Sequence, residues 1–575
     1  MDEKAAAQDT TPVAARGGRA SAQSAIAHLR SVWRLPPGVV LRLASHAGLR
    51  PIYATALYRR SLGRATAFDL RHRPHDPWPG DTVRAQAILR GCFRFAGQSL
   101  ERPDPLWHPP EATPAWRARF HGFDWLRDLR QHNSDAARRW ARDLVDDWMA
   151  VHPGPGRGAW TPEVAGRRLA NWLGQASFFA DSAEADFRNR LIESATRQAR
   201  HLARILPAGL TGAPLLTAIK GLIYAGLCLP DGDPLLRRGM SLLERTLPPQ
   251  IEMDGVHLSR CPRTHLLVLC DLLDLRATFA TVGVDSPRSL VLGIESMTPI
   301  LKLFRHGDGG LALFNGGDEG NREVVDIALK RAGPRSKTHQ AAPESGFYRL
   351  EAGKTCLLID AGAPPPPGFD TRAHAGTLSF ELSEGRRRVV TNCGAAAGDT
   401  PWREVARATA AHNTVTVAET NSSEVLAAGG LGRRPSSVVC RREEAGGAHL
   451  LDMSHDGYSR SHDLRHARRL YLDSEGGDLR GEDVVTGIAG RPVAVRFHLH
   501  PDTEAALVQN GTAVLIRLPK GGAWRFQVSG ATLDLAESVY LGEPEHVRRA
   551  QQIVLTTQTE SNRTAVKWAM KRESP

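Results

Sequence analysis

The sequence predicts an α+β multidomain chain, an incomplete (α/α) toroid followed by an antiparallel β-sandwich. Three observations carry that expectation. Apolar residues recur with a 3.6-residue period from about 120 to 335. Near 343 the pattern becomes a series of short strands separated by turn residues. A chain of 575 residues is also too long for one hydrophobic core.

Taken in order, residues 1–24 are rich in alanine, glycine and glutamine and read as a disordered N-terminus. Residues 25–118 read as N-terminal helices and an extended segment packing on the toroid. Within them, 25–62 are basic and partly amphipathic, a character that suits a membrane surface and, better, a packing helix; GCFRFAG (91–97) reads as a short strand. The toroid is expected over 119–337. One helix is placed to start near Asn133, and the next to open at TPEVAGRRLANWL with Thr161 as N-cap and Pro162 at the first helical position. Short loops between the following helices imply antiparallel neighbours bending around a central cleft. In FNGGDEG (314–320), Asp318 and Glu319 are expected to cap the helix that follows. An Ala/Pro-rich stretch around 338–344 reads as a linker, and 345–565 as the antiparallel sandwich.

Apolar residues at 41% and charged residues at 24% describe a globular chain. The net charge of +12 favours an acidic partner: nucleic acid, an anionic membrane surface or an anionic polysaccharide. A solvated basic surface explains it equally well. Nucleic acid ranks last and no nucleic-acid partner is expected, because no module interleaves aromatics with basic residues. No apolar run of spanning length occurs, so no integral membrane segment is expected. The N-terminus lacks the apolar core of a signal peptide, which points to an unexported, cytoplasmic chain. The seven cysteines are scattered without a CxxC pair, which argues against a disulfide framework or a zinc finger. Hydrolase, NTPase, dinucleotide and zincin motifs are absent.

Several strings, in order, carry a family likeness: FDWLRDL (123–129), GRRLANWL (166–173), DGVHLSRCP (254–262), FNGGDEG, GFYRL (346–350), AHAGTLSFEL (373–382), HNTVTV (412–417), HDGYSR (455–460) and FHLHPD (497–502). Together with the order of the two halves, they resemble the heparinase II/III family of polysaccharide lyases. The resemblance implies β-elimination on an anionic, uronic-acid-containing polysaccharide, and a place in the cell envelope or periplasm. That chemistry requires a group to neutralise the sugar carboxylate, a base for the C5 proton and an acid for the leaving oxygen. It requires no organic cofactor. The resemblance also implies, in some members, a structural zinc held by two histidines and a carboxylate.

Carried over residue by residue, the family's His-x-His-Ala-Asp frame here reads Arg372-Ala373-His374-Ala375-Gly376. Arg372 stands at the catalytic position and His374 at a metal-ligand position. The other metal candidates are His412 and Cys393, the latter beside Asn392 where the carboxylate is expected. The toroid's Asn-His pair is replaced by Gly212-Ala213, and its Tyr-His dipeptide by Thr264-His265. The catalytic candidates are therefore His257 as base, Arg260 and Arg372 as carboxylate neutralisers, and Tyr458 as acid. For His257 the alternative is a loop histidine bonded to backbone, and for Tyr458 a buried aromatic anchoring its loop. Asn315, His265 and Arg468 are the substrate-binding candidates. The function expected is a polysaccharide lyase-like protein; the alternative is a catalytically altered glycan-binding or envelope-polysaccharide assembly protein.

Overall fold

A computed structural model describes residues 29–67, 69–156, 158–333, 338–398, 400–543 and 546–573. The segment 1–24, expected to be disordered, lies outside the described residues.

A helical N-terminal part precedes a sheet-rich C-terminal part. GCFRFAG forms the strand Cys92–Phe95, paired antiparallel with Gln98–Glu101 across an Ala96-Gly97 turn in which both residues have positive φ. The helix expected from Asn133 instead runs Asp135–Val151, with Ser134 accepting from the Ala137 amide. Asn133 ends the preceding helix, Leu126–His132, in the left-handed conformation that asparagine tolerates. Thr161 and Pro162 stand at the N-cap and first position of Pro162–Gly174, but the threonine hydroxyl makes no capping bond. Asn321, rather than Asp318 or Glu319, caps Arg322–Ala332 by accepting from the Glu323 and Val324 amides.

The apolar stripes of most of the later helices, Arg322–Ala332 among them, meet in one core, which Gly212–Cys228 crosses with almost every residue buried. Glycines let its neighbours approach: a Cβ on Gly221 would lie 2.1 Å from the Gly166 carbonyl oxygen. A second core, dominated by Trp116, Trp125, Trp148 and Trp172, fills the space around residues 85–191.

Among the described residues the C-terminal part contains three antiparallel sheets. A five-stranded sheet orders as Ala341–Ala342, Phe347–Ala352, Thr355–Asp360, Ser379–Glu384 and Arg387–Val390. Its Phe347, Cys356 and Leu358 belong to the helical core, so the two parts are packed together and not merely tethered. An eight-stranded sheet, with Asn562–Glu573 and Asp478–Gly487 at its centre, and a four-stranded sheet containing Pro492–His498 enclose the remaining β core. Among the described residues no helix is long and apolar enough to cross a membrane.

Candidate functional site

Glu163, Arg167 and Asn171 stand at four-residue spacing along Pro162–Gly174, hence on one face, and form a polar wall. Arg167 donates to Glu163 Oε1 at 2.7 Å and to Asp124 Oδ2 at 3.3 Å. Asn171 Nδ2 donates to Asp124 Oδ1 and to the Gly122 carbonyl, each at 2.8 Å. Arg119, from the helix Pro114–Gly122, donates to the same carboxylate at 3.1 Å. Burial pushes the Asp124 carboxyl up, but the Arg167 and Arg119 guanidiniums overcome it and hold the group well below the ordinary carboxylate range. The Arg119 side chain is 49% exposed. The charge of Arg167 depresses its pKa first, burial second, and Arg372 adds to the same effect.

Arg372, from the C-terminal part, thus lies near enough for its charge to act on Arg119. Gly316 lets its backbone in: with φ of +82°, a Cβ there would stand 2.6 Å from the Arg372 carbonyl oxygen. Behind this wall Asp271 accepts from Lys220 Nζ at 2.8 Å and from Thr217 Oγ1 at 3.2 Å. The three guanidiniums outnumber the two carboxylates among them, leaving a surplus positive charge that faces solvent.

The other candidates do not join this wall. Tyr458 is fully buried and donates to the Val415 carbonyl at 2.6 Å; the expectation of a cleft-facing acid is corrected, because its ring anchors the loop from within the β core. Arg468 is equally buried, with all three nitrogens bonded to Asp483 or to the Leu378 and Asn413 carbonyls, and offers no exposed donor to a substrate. His265 bonds the Met297 carbonyl at 2.8 Å inside the helical core. Arg260 is ion-paired with Asp360, and its guanidinium lies 4.4 Å over the Phe347 ring. Asn315 donates to that same Asp360 at 2.9 Å. These last two residues therefore tie the helical part to the first large sheet.

His257 is buried with its ring 6.1 Å from that of Phe369. Its Nδ1 accepts from the Ser259 amide at 3.1 Å, which places the proton on Nε2, a buried atom without a partner. Burial, then the neighbouring His265, pushes its pKa down to about 3.

His374 Nδ1 and His412 Nε2 meet at 3.1 Å. Such a separation suits either a hydrogen bond or two ligands of a tetrahedral metal, whose Zn–N bonds of about 2.0 Å place nitrogens roughly 3.3 Å apart. The third donor decides. Cys393 Sγ turns away, 3.4 Å from His498 Nδ1, and burial pushes its thiol up to about 12. Asn392 offers no carboxylate, and among the described residues no three His, Cys, Asp or Glu side chains could hold a metal ion. The residues present do not fit the three-donor zinc site. Gly376 supplies part of the reason, since the His412 ring fills the space a side chain there would need: a Cβ would lie 2.6 Å from its Cδ2. Gly376→Ala is expected to cost about 1–3 kcal/mol through this overpacking, measured by urea unfolding; an unchanged midpoint would show that the ring moves freely.

Residues 105–332 match the family model described as heparinase II/III N-terminus, and 334–569 the one described as heparinase II/III-like, C-terminal. FtsZ-localized protein C of Caulobacter vibrioides is 33% identical over 522 residues, spanning 85% of this chain and 88% of that protein. The chain belongs to the heparinase II/III family. Its polysaccharide lyase-like fold is shared with a crystal structure of heparinase III, at a TM-score of 0.70 over 94% of this chain and 93% of that one, with 14% identity. Heparan sulfate lyase HepC from Pedobacter heparinus is similar at a TM-score of 0.58 over 90% and 88%, with 17% identity. At such identities the likeness is one of fold.

Arg119, Asp124, Arg167 and Asn171 carry no role in the sequence reading, although FDWLRDL and GRRLANWL, two strings of the family likeness, contain three of them. The i, i+4 spacing of Glu163, Arg167 and Asn171 was the available signal. Nothing local in the sequence shows that Asp124 or Arg119 faces them.

Proposed function

We propose that this heparinase II/III family member binds an anionic saccharide in its arginine-lined cleft without cleaving it. One observation carries the reading: the groups carried over as base and acid are buried in the core, while Arg119 and Arg372 are exposed and Arg167 half-buried beside them. β-Elimination needs a base and an acid within hydrogen-bond range of the sugar. Arginine neutralises a carboxylate or sulfate through its planar fork but keeps its proton. His257, neutral and with a pKa near 3, is a weak base for a C–H proton. Some family members are lyases, so the expected substrate class, an anionic polysaccharide, is retained here as a ligand. The name of the FtsZ-localized relative supports localisation with FtsZ for this chain too.

Two measurements test this. Incubation with heparin-like, alginate-like and capsular polymers is expected to leave the unsaturated-uronate absorbance flat. Calorimetry with a heparin oligosaccharide is expected to show binding that weakens at least tenfold in Arg119→Gln/Arg167→Gln/Arg372→Gln and weakens with salt. Unsaturated product from any polymer would defeat the non-catalytic reading, and unchanged binding in the triple variant would defeat the cleft reading.

The unpartnered His257 Nε2–H, a donor that suits protonation of a leaving oxygen and not abstraction of the C5 proton, is the observation that favours a lyase instead; that reading requires product that disappears in His257→Ala. The donor set around His374 and His412 leads us to expect that EDTA leaves the melting temperature unchanged; a chelator-dependent drop would reveal a bound metal.

A further inference from the structure

The segment 29–67 contains seven arginines and one histidine, and no aspartate or glutamate at all. It forms a strap fixed to the rest of the molecule along one side. Arg34 is ion-paired with the buried Asp370 of the C-terminal part, and Arg204 Nη2 donates to the Ser61 carbonyl at 2.7 Å. The Tyr58 hydroxyl meets His201 Nδ1 at 2.9 Å, while Val39 and Leu62 are buried. The expectation of a packing helix describes this inner side.

The outer side is different. Trp33 is 76% exposed, Leu41 68% and Leu57 79%, and Leu29, Leu49 and Ile52 also face solvent. Six of the nineteen exposed large hydrophobic residues of the described chain therefore stand between 29 and 57. Within the helix Pro37–Tyr53, Leu41 and Ile52 are eleven residues apart and share one side, with Ala44, Ser45 and Gly48 between them. Arg42 stands exposed beside Leu41, and Arg59 and Arg60 follow on the helix Ala56–Ser61, next to Leu57.

We propose that this strap is a docking surface for an anionic lipid bilayer, lying in the headgroup plane with Trp33, Leu41, Ile52 and Leu57 inserted. The occupant follows from charge and shape. Arg30 and Arg34 pair with Glu424 and Asp370 outside the segment, but the exposed Arg42, Arg59 and Arg60 stand on a segment that has no acid of its own and favour a dense array of phosphates. The apolar side chains between them need a non-aqueous medium, and an anionic membrane interface meets both demands together. A second copy of this chain, docking through the same face by two-fold symmetry, would set an all-basic surface against itself. A glycan or a nucleic acid would leave the leucines in water. The helix has neither the length nor the continuous apolar run to span the bilayer, so it lies on the surface. Because the strap also holds Asp370, binding would fix the orientation of the whole molecule at the membrane.

The experiment is co-sedimentation of the full chain with vesicles of phosphatidylcholine alone and with thirty per cent phosphatidylglycerol, together with light scattering for oligomeric state. The expected result is binding to the anionic vesicles, at least tenfold weaker on neutral ones, and lost at least tenfold in Trp33→Ser/Leu41→Ser/Ile52→Ser/Leu57→Ser. All four side chains are exposed, so an unchanged melting temperature should accompany the loss. A quadruple variant that still binds, or a wild-type chain that ignores anionic vesicles, overturns the proposal. So does a wild-type dimer that dissociates in the variant while vesicle binding is absent, which would identify a second copy as the occupant.

Discussion

Arg468→Ala is expected to destabilise the protein by about 3–5 kcal/mol, the cost of removing one partner from a buried ion pair. Arg468 Nε and Nη2 donate to the two oxygens of Asp483 at 2.7 and 3.1 Å, and Nη1 serves the Leu378 and Asn413 carbonyls. Trp568 Nε1 donates to the same carboxylate at 3.0 Å. A chain of histidines completes the set. His455 Nδ1 accepts from the Gly457 amide, so its Nε2 carries the proton and donates to His466 Nδ1, whose own Nε2–H donates to Asp483 at 2.8 Å. Each donor has an acceptor without either histidine being charged. Burial pushes Asp483 up, yet Arg468 first and His466 second hold it well below the ordinary carboxylate range. A depressed folded-state pKa contributes stability that is full above the unfolded value of about 3.9 and is lost as pH falls through the folded value. Without Arg468 the carboxyl titrates higher, so less stability is lost on acidification, and the deficit of the variant relative to the wild type is expected to be largest near neutral pH and to shrink as pH falls. Urea unfolding between pH 3 and 8 measures both effects; a loss below about 1 kcal/mol would show that water or repacking replaces the guanidinium.

The role of Arg468 was legible in part. In the strand Leu464–Leu472 the inward residues are Leu464, His466, Arg468, Leu470 and Leu472. Leucines at three positions of one parity already announce the buried face, so His466 and Arg468 must share it. Read only as a cluster of charge, RHARR suggests a basic surface; read with its flanking leucines, it shows a polar network inside a core. Tyr458 had no comparable signal. HDGYSR looks like an exposed loop, and only the tertiary path of the chain turns its ring under the strand Val415–Val417. The 3.6-residue period marked the helical half, and the change to short strands near 343 marked the sheet half, because amphipathic patterns report which face is buried. They do not report depth within a cleft. Arg119 and Asp124, contributed by different turns from Arg167, became neighbours only through folding.

The substitutions at the family's catalytic frame form a coherent set when the contacts are considered together. Gly376 admits the His412 ring, which meets His374; Arg372, drawn in beside Gly316, adds its charge to that of Arg119. The third metal donor is missing at Asn392, on a different segment, while an arginine stands at 372; the proposed anion recognition rests on the second of these.

Arg260 and Asp360 give the last prediction, because the two halves of their ion pair should fail differently. Arg260 comes from the loop after Ile251, and Asp360 ends the strand Thr355–Asp360, so the pair fastens the helical part to the sheet that leads into Arg372. Burial holds the Asp360 carboxyl above its usual range, even though Arg260, the Gly362 amide and Asn315 Nδ2 all act to lower it. In Arg260→Ala the opposing charge is gone and the pKa rises further. The carboxyl then escapes by taking a proton, which is easy at pH 5 and costly at pH 8. An acid whose folded-state pKa is raised destabilises increasingly as pH climbs above its unfolded value, so the loss in Arg260→Ala should grow with pH toward about 3–5 kcal/mol. In Asp360→Ala the stranded group is a buried guanidinium, which has no neutral form to adopt in this range. Its loss should be of similar size at pH 8 and should persist at pH 5. Unfolding of both variants at the two values decides the matter. Parallel losses across pH would show that Asp360 stays ionised without its partner, and that neighbouring donors, not Arg260, secure the junction.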